Sequence, residues 1–555
     1  MEERRLMLAV ALSFLVLLGY RLLFPPPPAA EPTHVSDAPR AAAPAEAPPA
    51  PPSPTPEPTP RPLVADERER RVEVQGDSEV AFTNRGARLV SWRLPQFKDA
   101  RGAPEEMVQT PAGGPRPLDL ETGDPTVDRR LREALFQPST DTLSLDGSGE
   151  AELSFAYADG DLEAEKRLRF RPGGQLVAVS ARVRQAGREL PVRLLWGPGV
   201  GQPSQAEREV QGYQPPQAVF LGPRGVERVP ADKLQAAPRR IAELRWVGVE
   251  SQYFAALLVP PARDGAGELR AVGVPESGGE PQLAPLVALA LPGGEAPALL
   301  YVGPKDHAVL SKLGHELAAV VPVGDWIGPI VVPLMRLLRF VHGHVGNYGW
   351  SIVLLTVLIN LAMAPLRHYS IANSHKMAKL APEMRVIQDR YRKVPALDPR
   401  RQDMQKEVAE LYARHGMSMG TQMLVGCLPL LLTMPFLFAF YRVLQVSIEL
   451  RGAPFLWIPD LSQKDPLFLT PLLMGVSMFA MQKMMPSAMD PAQQRMMLLM
   501  PLVLMVMFFA APGGLNLYWL ASNVCSIVQQ AVTLGIIRRS DESAVRGRKD
   551  RERPR

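Results

Sequence analysis

Two stretches of the chain, residues 421–446 and 467–535, are almost wholly apolar, and this limits the possible folds more than any other feature of the sequence. A helix needs about 20 predominantly apolar residues to cross a bilayer. The rest of the chain is charged and rich in proline, so the overall hydrophobic fraction of 46% conceals these blocks. The pattern predicts a polytopic α-helical membrane protein with a large water-facing part.

Six segments have the length and composition of membrane spans. The first, residues 1–24, is followed by only weak small-residue cleavage sites, so we expect an uncleaved N-terminal anchor and not a removed signal peptide. The other five spans are predicted to form the core of the protein. They are residues 349–366, 421–446, 467–484, 496–511 and 515–537.

Basic residues are concentrated on one side of these predicted spans. Residues 367–414 contain 11 Lys/Arg against 6 Asp/Glu, and the tail 538–555 contains 8 against 4. The loop 447–466, by contrast, has only Arg451 and Lys464 as basic residues. Basic segments remain on the cytoplasmic side, so both termini are expected there. The sequence therefore predicts a multi-pass membrane protein with the soluble region on the outer side, in the periplasm if the cell has two membranes.

The soluble region between the first two spans divides into two parts. Residues 25–65 are a Pro/Ala-rich linker, a composition that cannot bury a core. Residues 66–310 show the two-residue alternation of β-strands and predict an all-β periplasmic domain, with a hairpin turn at 171–174. The positions expected to share one strand face are Val90, Trp92 and Leu94, and in a second strand Val177, Val179, Ala181 and Val183.

The connections flanking the core spans are predicted to be mostly helical. Residues 325–346 contain an amphipathic helix that we expect to begin at Pro333 and to lie in the membrane interface, although a surface helix of the β domain is an alternative. Its apolar stripe consists of Leu334, Leu337, Leu338, Val341 and Val345. Residues 367–420 have helical spacing on both sides of a proline-containing break, which predicts a cytoplasmic hairpin of two helices. Residues 485–495 are expected to form a short cytoplasmic loop.

Catalytic and metal-binding motifs are missing from the sequence. His315 and Glu316 begin a zinc-protease motif, but Ala319 stands where the second histidine is required. The sequence has no Gly-x-Ser-x-Gly, no phosphate-binding loop and no Cys-x-x-Cys. Cys427 and Cys525 lie within apolar segments, where we interpret them as packed small residues. We therefore expect a protein that is not an enzyme and needs no cofactor and no metal.

Polar side chains occur inside the predicted spans, where they are costly and often functional. Thr356 and Asn360 lie four residues apart on one helix face. In the last span Tyr518, Ser522 and Ser526 repeat every four residues, and Asn516 and Asn523 are seven apart. Each could be an ordinary interhelical hydrogen-bonding residue. Together they predict a polar cavity within the core.

Methionine is strongly biased toward the same region. Of the 23 methionines, 11 fall between Met474 and Met507. Flexible thioether side chains suit a surface that must accept varied apolar partners, although ordinary packing toward lipid explains the same bias. The sequence leaves both interpretations open.

The core from about 325 to 535 resembles the YidC family of membrane protein insertases, of the Gram-negative type with a large periplasmic domain. The motifs that carry the resemblance are Gly346-Asn347-Tyr348-Gly349, Pro365-Leu366, Cys427-Leu428-Pro429, Met434-Pro435-Phe436, Glu449-Leu450-Arg451, Asp490-Pro491-Ala492-Gln493-Gln494, Met500-Pro501 and Gly514-Leu515-Asn516-Leu517-Tyr518-Trp519. Weaker matches in the β domain are Thr83-Asn84-Arg85-Gly86, Gln252-Tyr253-Phe254-Ala255 and Gly303-Pro304-Lys305.

The resemblance implies an insertase and chaperone that works without nucleotide hydrolysis, alone or with the Sec translocon, and a β-sandwich-like periplasmic domain. It implies a hydrophilic groove for nascent membrane proteins, a ribosome contact through the basic tail and cytoplasmic loops, and contact with membrane lipids. The expected groove residues are Thr356, Asn360, Arg367, Arg442, Asn516, Tyr518, Trp519, Ser522 and Asn523. The expected apolar slide consists of Met434, Phe436, Met474, Met478 and Met505.

One position departs from the family pattern. Many relatives carry an arginine in the groove where this chain has Asn360. Arg367 follows seven residues later, which places it on nearly the same helical face and about two turns nearer the cytoplasm. Our hypothesis is that Arg367 or Arg442 partly replaces the missing charge.

Two other classes of protein share some of these features. A solute transporter also has a polar cavity between helices, but it commonly shows two matching halves, which these five unequal spans lack. A structural assembly factor would bind partners through its β domain and use the spans as an anchor. Deleting most of residues 70–300 separates the classes, because an insertase core should continue to work.

Overall fold

The computed structural model describes residues 63–551 with some gaps, of which 416–433 is the longest. The gaps are 110–113, 146–148, 235–237, 263, 275–281, 293–295, 325, 392–393, 396–397, 416–433 and 485–490. The predicted anchor 1–24, nearly all of the linker 25–65, the first half of the span 421–446 and Cys427 lie outside the described residues.

The described residues up to 304 contain mainly β-strands. The strands are β1 (Arg71–Gln75), β2 (Glu79–Thr83), β3 (Arg88–Lys98), β4 (Pro104–Glu106), β5 (Leu120–Glu121), β6 (Gln137–Pro138), β7 (Thr142–Ser144), β8 (Ala151–Asp159), β9 (Leu162–Phe170), β10 (Leu176–Gln185), β11 (Arg188–Glu189), β12 (Val192–Trp196), β13 (Gln217–Gly222), β14 (Gly225–Pro230), β15 (Arg239–Leu244), β16 (Trp246–Glu250), β17 (Phe254–Val259), β18 (Gly265–Val274), β19 (Gln282–Leu291) and β20 (Ala298–Pro304). The prediction of a mainly β domain in this region is confirmed.

These strands form three sheets around one apolar core. The largest has the order β14-β13-β16-β17-β20-β10-β9-β8-β6, with β11 beside β10. The second has the order β15-β18-β19-β12-β5, and the third β4-β3-β2-β1-β7. All three sheets contribute side chains to the same buried cluster, which explains why their strands alternate between buried and less buried residues.

The predicted hairpin at 171–174 joins β9 to β10, which pair in antiparallel register. Gly173 supplies the left-handed backbone (φ +63°) that the turn requires. Val177, Val179 and Val183 are buried on one face as predicted, and the half-buried Ala181 packs against the same core.

The prediction that Val90 shares a face with Trp92 and Leu94 is wrong. Ser91 pairs with Ala81 on β2, but the next residue of β2, Phe82, pairs with Leu89, so Val90 is skipped. Such a bulge places one extra residue in the strand, so the side chains beyond it lie on the opposite face of the sheet from the one that strict alternation predicts. Leu89 therefore joins the core in place of Val90.

A lysine lies inside the core of the β domain. Lys166 on β9 is fully buried, and its Nζ donates to the carbonyl oxygens of Ala87 and Leu118, at 2.6 Å each. Desolvation disfavours the ammonium form and lowers the pKa of Lys166 to about 7, although the nearby Asp119 opposes the shift.

Helices follow the last strand and also connect some strands. They are α1 (Pro125–Glu133), α2 (Gln205–Arg208), α3 (His307–Leu313), α4 (Gly328–Val345), α5 (Tyr348–Ala362), α6 (Ala364–Arg390), α7 (Arg400–Arg414), α8 (Met434–Val446), α9 (Leu469–Met484), α10 (Pro491–Phe508) and α11 (Gly513–Arg551). α6 packs against α7 through Leu380, Met384, Val408, Leu411 and Tyr412.

The central strand β17 is buried on both faces. Phe254, Ala256 and Leu258 face the core between the sheets. Ala255, Leu257 and Val259 belong to a second apolar cluster, which continues through α4 into α5, α8 and α11. The β domain is therefore packed directly on the helical part of the protein.

The amphipathic helix α4 begins at Gly328, so the prediction that Pro333 begins it is wrong. Pro329 occupies the first turn, where a missing N–H costs nothing, and Pro333 lies inside the helix. Leu334, Leu338 and Val341 of the expected stripe are buried, whereas Leu337 and Val345 are exposed.

The chain bends sharply after the first core helix. α5 ends at Ala362 and α6 begins at Ala364, with an angle of 59° between them. Pro365 in the first turn of α6 cannot donate a hydrogen bond back into α5, which favours a new helix start. Arg367 consequently lies on α6, and the assumption of one continuous helix from Asn360 to Arg367 is wrong.

Among the described residues, one helix is long and apolar enough to cross a membrane alone, the Gly513–Ser540 part of α11. The bent pair α5 and α6 meets the same criterion together. Met434–Val446 and Met497–Phe508 are shorter apolar helices.

Candidate functional site

The polar face of α5 consists of buried side chains that bond to their own helix. Thr356 Oγ1 donates to the carbonyl of Ile352 at 2.7 Å, and Asn360 Nδ2 donates to the carbonyl of Thr356 at 2.8 Å. The carbonyl oxygen of the Asn360 side chain is buried with no hydrogen-bond partner in the described structure. An unsatisfied buried acceptor is costly, so this oxygen is a ready partner for an incoming donor.

The polar face of α11 is tied to its neighbours. Asn523 Nδ2 donates to Ser477 Oγ on α9 at 3.0 Å, and Asn516 Nδ2 donates to the carbonyl of Phe508 at the end of α10 at 3.2 Å. The side-chain oxygen of Asn516 is also buried without a partner in the described part of the chain. Both helix faces thus carry one unsatisfied amide oxygen.

Aromatic side chains hold the first turns of α11 in place. Tyr518 stacks on Phe440 of α8, with ring centroids 4.2 Å apart and planes at 17°. Trp519 contacts Phe508 of α10 at 5.0 Å between centroids. These two predicted groove residues therefore serve the packing of α8, α10 and α11.

Three polar contacts join the start of α6 to the middle of α11. Arg367 Nη1 donates to Ser526 Oγ, and Ser526 in turn donates to the carbonyl of Ser522 at 2.7 Å. Gln529 Nε2 donates to the carbonyl of Ala364 at 2.7 Å. A third contact joins His368 Nδ1 and Thr533 Oγ1 at 3.2 Å. The bend after α5 brings Arg367 to α11.

Arg442 does not belong to this group of residues. Its Nε donates to the carbonyl of Pro322 at 2.6 Å, just before α4, and its Nη1 donates to Gln445 Oε1 at 3.2 Å. Arg228 of the β domain is close enough to repel it electrostatically. The structure therefore places Arg442 beside the β domain, and Arg367 alone beside Ser526.

The residues expected to form an apolar slide differ in exposure. Met474 is fully buried, and Met478, Met505 and Phe436 are partly buried, whereas Met434 is 36% exposed. The exposed apolar surface of α9 and α10 consists mainly of leucine and valine, which the methionine bias did not identify. Its members are Leu472, Leu473, Val476, Phe479, Leu499, Met500, Leu502, Val503, Val506 and Met507.

No group of three metal-ligating side chains occurs among the residues that the structure describes. The site offers amide oxygens, hydroxyls and one guanidinium beside an apolar surface. Such a set can bind a polar peptide segment by hydrogen bonds and charge.

Two family models match the chain. The model described as "60Kd inner membrane protein" matches residues 340–540, and the model described as "YidC periplasmic domain" matches residues 71–337. Membrane protein insertase YidC of Geobacter sulfurreducens is 34% identical over 538 residues, which cover 95% of this chain and 97% of that protein.

The corresponding protein of Syntrophus aciditrophicus is 30% identical over 562 residues, which cover 95% of this chain and 98% of that protein. Among solved structures, a crystal structure described as an active YidC insertase with its first transmembrane domain resolved matches 85% of this chain and 94% of its own. That match has 16% identity and a TM-score of 0.35.

Proposed function

This chain belongs to the YidC family of membrane protein insertases, and from this premise we propose that it inserts, folds and helps assemble integral membrane proteins of the inner membrane. The resemblance predicted from the sequence is confirmed. Insertion is not an enzymatic activity, so the prediction of a protein that is not an enzyme is confirmed by the same matches.

We further propose a topology of six spans, five of which form the core, with both termini and the hairpin α6–α7 in the cytoplasm. The distribution of basic residues supports it. The loop 447–466 contacts the β domain, as expected of two segments on one side of a membrane. The basic tail and cytoplasmic loops would attract ribosomal RNA, and the Sec translocon would be a second partner.

The observations that carry the mechanism are the polar contact of α6 with α11 and the two unsatisfied amide oxygens, one on α5 and one on α11. Arg367, Asn360 and Asn516 offer a charge and two acceptors to the polar end of a nascent chain. The apolar segment would slide along the exposed surface of α9 and α10 and leave into lipid. Each Leu, Ile, Val or Phe contributes about 0.3–0.6 kcal/mol at the bilayer centre, so about 20 apolar residues drive insertion without nucleotide hydrolysis.

In this mechanism Arg367 replaces the arginine that many relatives carry at the position of Asn360. An acidic residue costs about 2.5–3.5 kcal/mol at the centre of a membrane helix. A cation about 4 Å from the carboxylate attracts it by about 4 kcal/mol at an effective dielectric constant near 20. At about 8 Å the attraction is about 2 kcal/mol, so one guanidinium offsets half or more of the cost of one carboxylate.

Photo-crosslinking of a stalled ribosome–nascent chain complex tests the proposal. Photoreactive residues are placed at Asn360 and Ser522 for the groove and at Val503 for the apolar surface. Matched controls are Val528, which is exposed on the same helix as Ser522, and Leu283 in the β domain.

We expect the polar end of the nascent chain to crosslink at the two groove positions and its apolar segment at Val503. Equal crosslinking at Leu283, or none at the groove positions, would show that these helix faces do not receive the substrate. Crosslinking at Val528 that matched Ser522 would show contact without a preferred face.

A further inference from the structure

The loop between α8 and α9, residues 447–466 (the outer loop), inserts apolar side chains into the helical core. Phe455 and Ile458 exchange backbone hydrogen bonds of 2.8 and 2.9 Å, which closes a tight turn. Their side chains and that of Leu461 are 5%, 0% and 0% exposed. All three belong to the same apolar cluster as residues of α5 and α11.

Glycines at the starts of α5 and α11 make room for this loop. A Cβ added at Gly349 would overlap the ring of Phe455. A Cβ at Gly513 would lie 3.2 Å from Ile458 Cγ2, and a Cβ at Gly514 would lie 3.2 Å from the carbonyl oxygen of Leu461. The loop therefore packs against the bare backbone of the two helices whose polar faces form the candidate groove.

A buried ion cluster attaches the outer loop to the β domain. Arg451 Nη2 lies 2.7 Å from Glu105 Oε2 of β4, and its Nε lies 2.5 Å from Glu207 Oε1 of α2. The three side chains are 8%, 1% and 8% exposed. The guanidinium also lies over the ring of Phe254 of β17, 5.3 Å from its centroid. All three of these partners of Arg451 belong to the β domain.

Three further ion pairs differ from this cluster in position or burial. Glu449 of the outer loop and Asp306 at the start of α3 both pair with Arg339 of α4, at 3.3 and 3.2 Å. Lys464 of the outer loop pairs with Glu209 at 2.8 Å, with side chains 28% and 50% exposed. Exposed pairs contribute little, whereas removing one partner of a buried pair leaves an uncompensated buried charge.

We propose that Arg451 is a positioning residue that holds the outer loop against α5 and α11, so that the loop closes the end of the groove facing the β domain. The closure keeps water and ions from crossing while a polar segment enters from the opposite end. The inference rests on the proposed function only in assuming that the groove exists. It assigns to the β domain the role of a clamp on that closure.

The test measures access to the loop from outside in right-side-out membrane vesicles. In a chain with Cys427→Ala and Cys525→Ala, a Leu461→Cys probe is labelled with a membrane-impermeant maleimide. We expect Arg451→Met to raise the labelling rate at least 10-fold, because two buried carboxylates then repel each other and the loop detaches. The exposed pair supplies the matched control, since Lys464→Met removes a cation from the same loop and should change the rate less than 2-fold.

A second probe separates a loosened loop from an unfolded domain. Val179 is fully buried in the core of the β domain, so a Val179→Cys probe should remain unlabelled in the Arg451→Met variant. Unchanged labelling at position 461, equal labelling at 179 and 461, or an equal effect of Lys464→Met would each overturn the proposal. Insertion by the unmutated protein is measured in parallel, so that failure of the insertase function is recognised independently of the labelling result.

Discussion

Replacing Arg367 by glutamine removes one positive charge from the contact between α6 and α11. The glutamine keeps a side chain that can still donate to Ser526 Oγ. Among the described residues, no carboxylate forms an ion pair with the Arg367 guanidinium, whose hydrogen bond goes to the neutral hydroxyl of Ser526. Its charge is therefore available to an acidic residue of the substrate.

The structure sets the expected size of the effect. Opposite charges attract by about 4 kcal/mol at about 4 Å and by about 2 kcal/mol at about 8 Å, for an effective dielectric constant near 20. Arg367 is only partly buried, so water screens its charge, and we use the smaller attraction of about 2 kcal/mol. Since 1.36 kcal/mol is a factor of ten, about 2 kcal/mol corresponds to roughly 30-fold in the rate of insertion.

The assay follows insertion into proteoliposomes by protection of the translocated segment from protease. Two substrates differ only in that segment, one with two aspartates and one with two asparagines. Arg367→Gln should slow the aspartate substrate about 30-fold and the asparagine substrate less than 3-fold. Arg367→Lys, which keeps the charge but not the fork of donors, should recover most of the rate.

Arg442→Gln is the matched control, because it removes the same charge from a site beside the β domain. It should leave the ratio of the two rates unchanged. Equal slowing of both substrates by Arg367→Gln would indicate a structural role. No slowing of the aspartate substrate would show that the groove does not use this charge.

Three further predictions follow from buried groups. Burial lowers the pKa of Lys166 from its ordinary value of 10.5 to about 7 in the folded protein, so the unfolded chain binds more protons between these values. Stability should therefore rise by up to about 5 kcal/mol from pH 7 to 10.5, and thermal unfolding of Lys166→Met should lose this dependence. Gly349→Ala should lower the free energy of unfolding by about 1–3 kcal/mol, because the added methyl group overlaps the ring of Phe455. In a chain that already carries Phe455→Ala, the same substitution should cost much less, because the two residues are in contact. Asn360→Arg should restore insertion of the aspartate substrate when Arg367 is glutamine. Failure to do so in a folded double variant would show that a charge at position 360 cannot replace the charge at position 367.

The sequence was sufficient for features that depend on composition and local pattern. Alternation predicted the mainly β domain, and Arg-Pro-Gly-Gly at 171–174 predicted the hairpin between β9 and β10. Both follow from local rules, because a turn and a buried strand face need particular residues at particular spacing. Family motifs likewise identified the insertase, since they are contiguous in the chain.

Errors arose wherever a regular element was interrupted. The bulge that displaces Val90 leaves no mark in the alternation of β3, because Leu89 and Val90 are equally apolar. The bend after Ala362 moved Arg367 onto a new helix axis, which invalidated the count of residues from Asn360. Periodicity assumes an unbroken element, so it fails at each bulge or bend.

Which charges act together was decided by the tertiary structure alone. The sequence offered Arg367 and Arg442 equally, and only the packing put one beside Ser526 and the other beside Pro322. It contained no sign that Arg451 meets Glu105, 346 residues away. Local pattern determined what each segment is, a span, a strand or a linker, because those choices depend on neighbouring residues. The partners of a buried charge are chosen by the meeting of distant segments, and that information lies only in the folded protein.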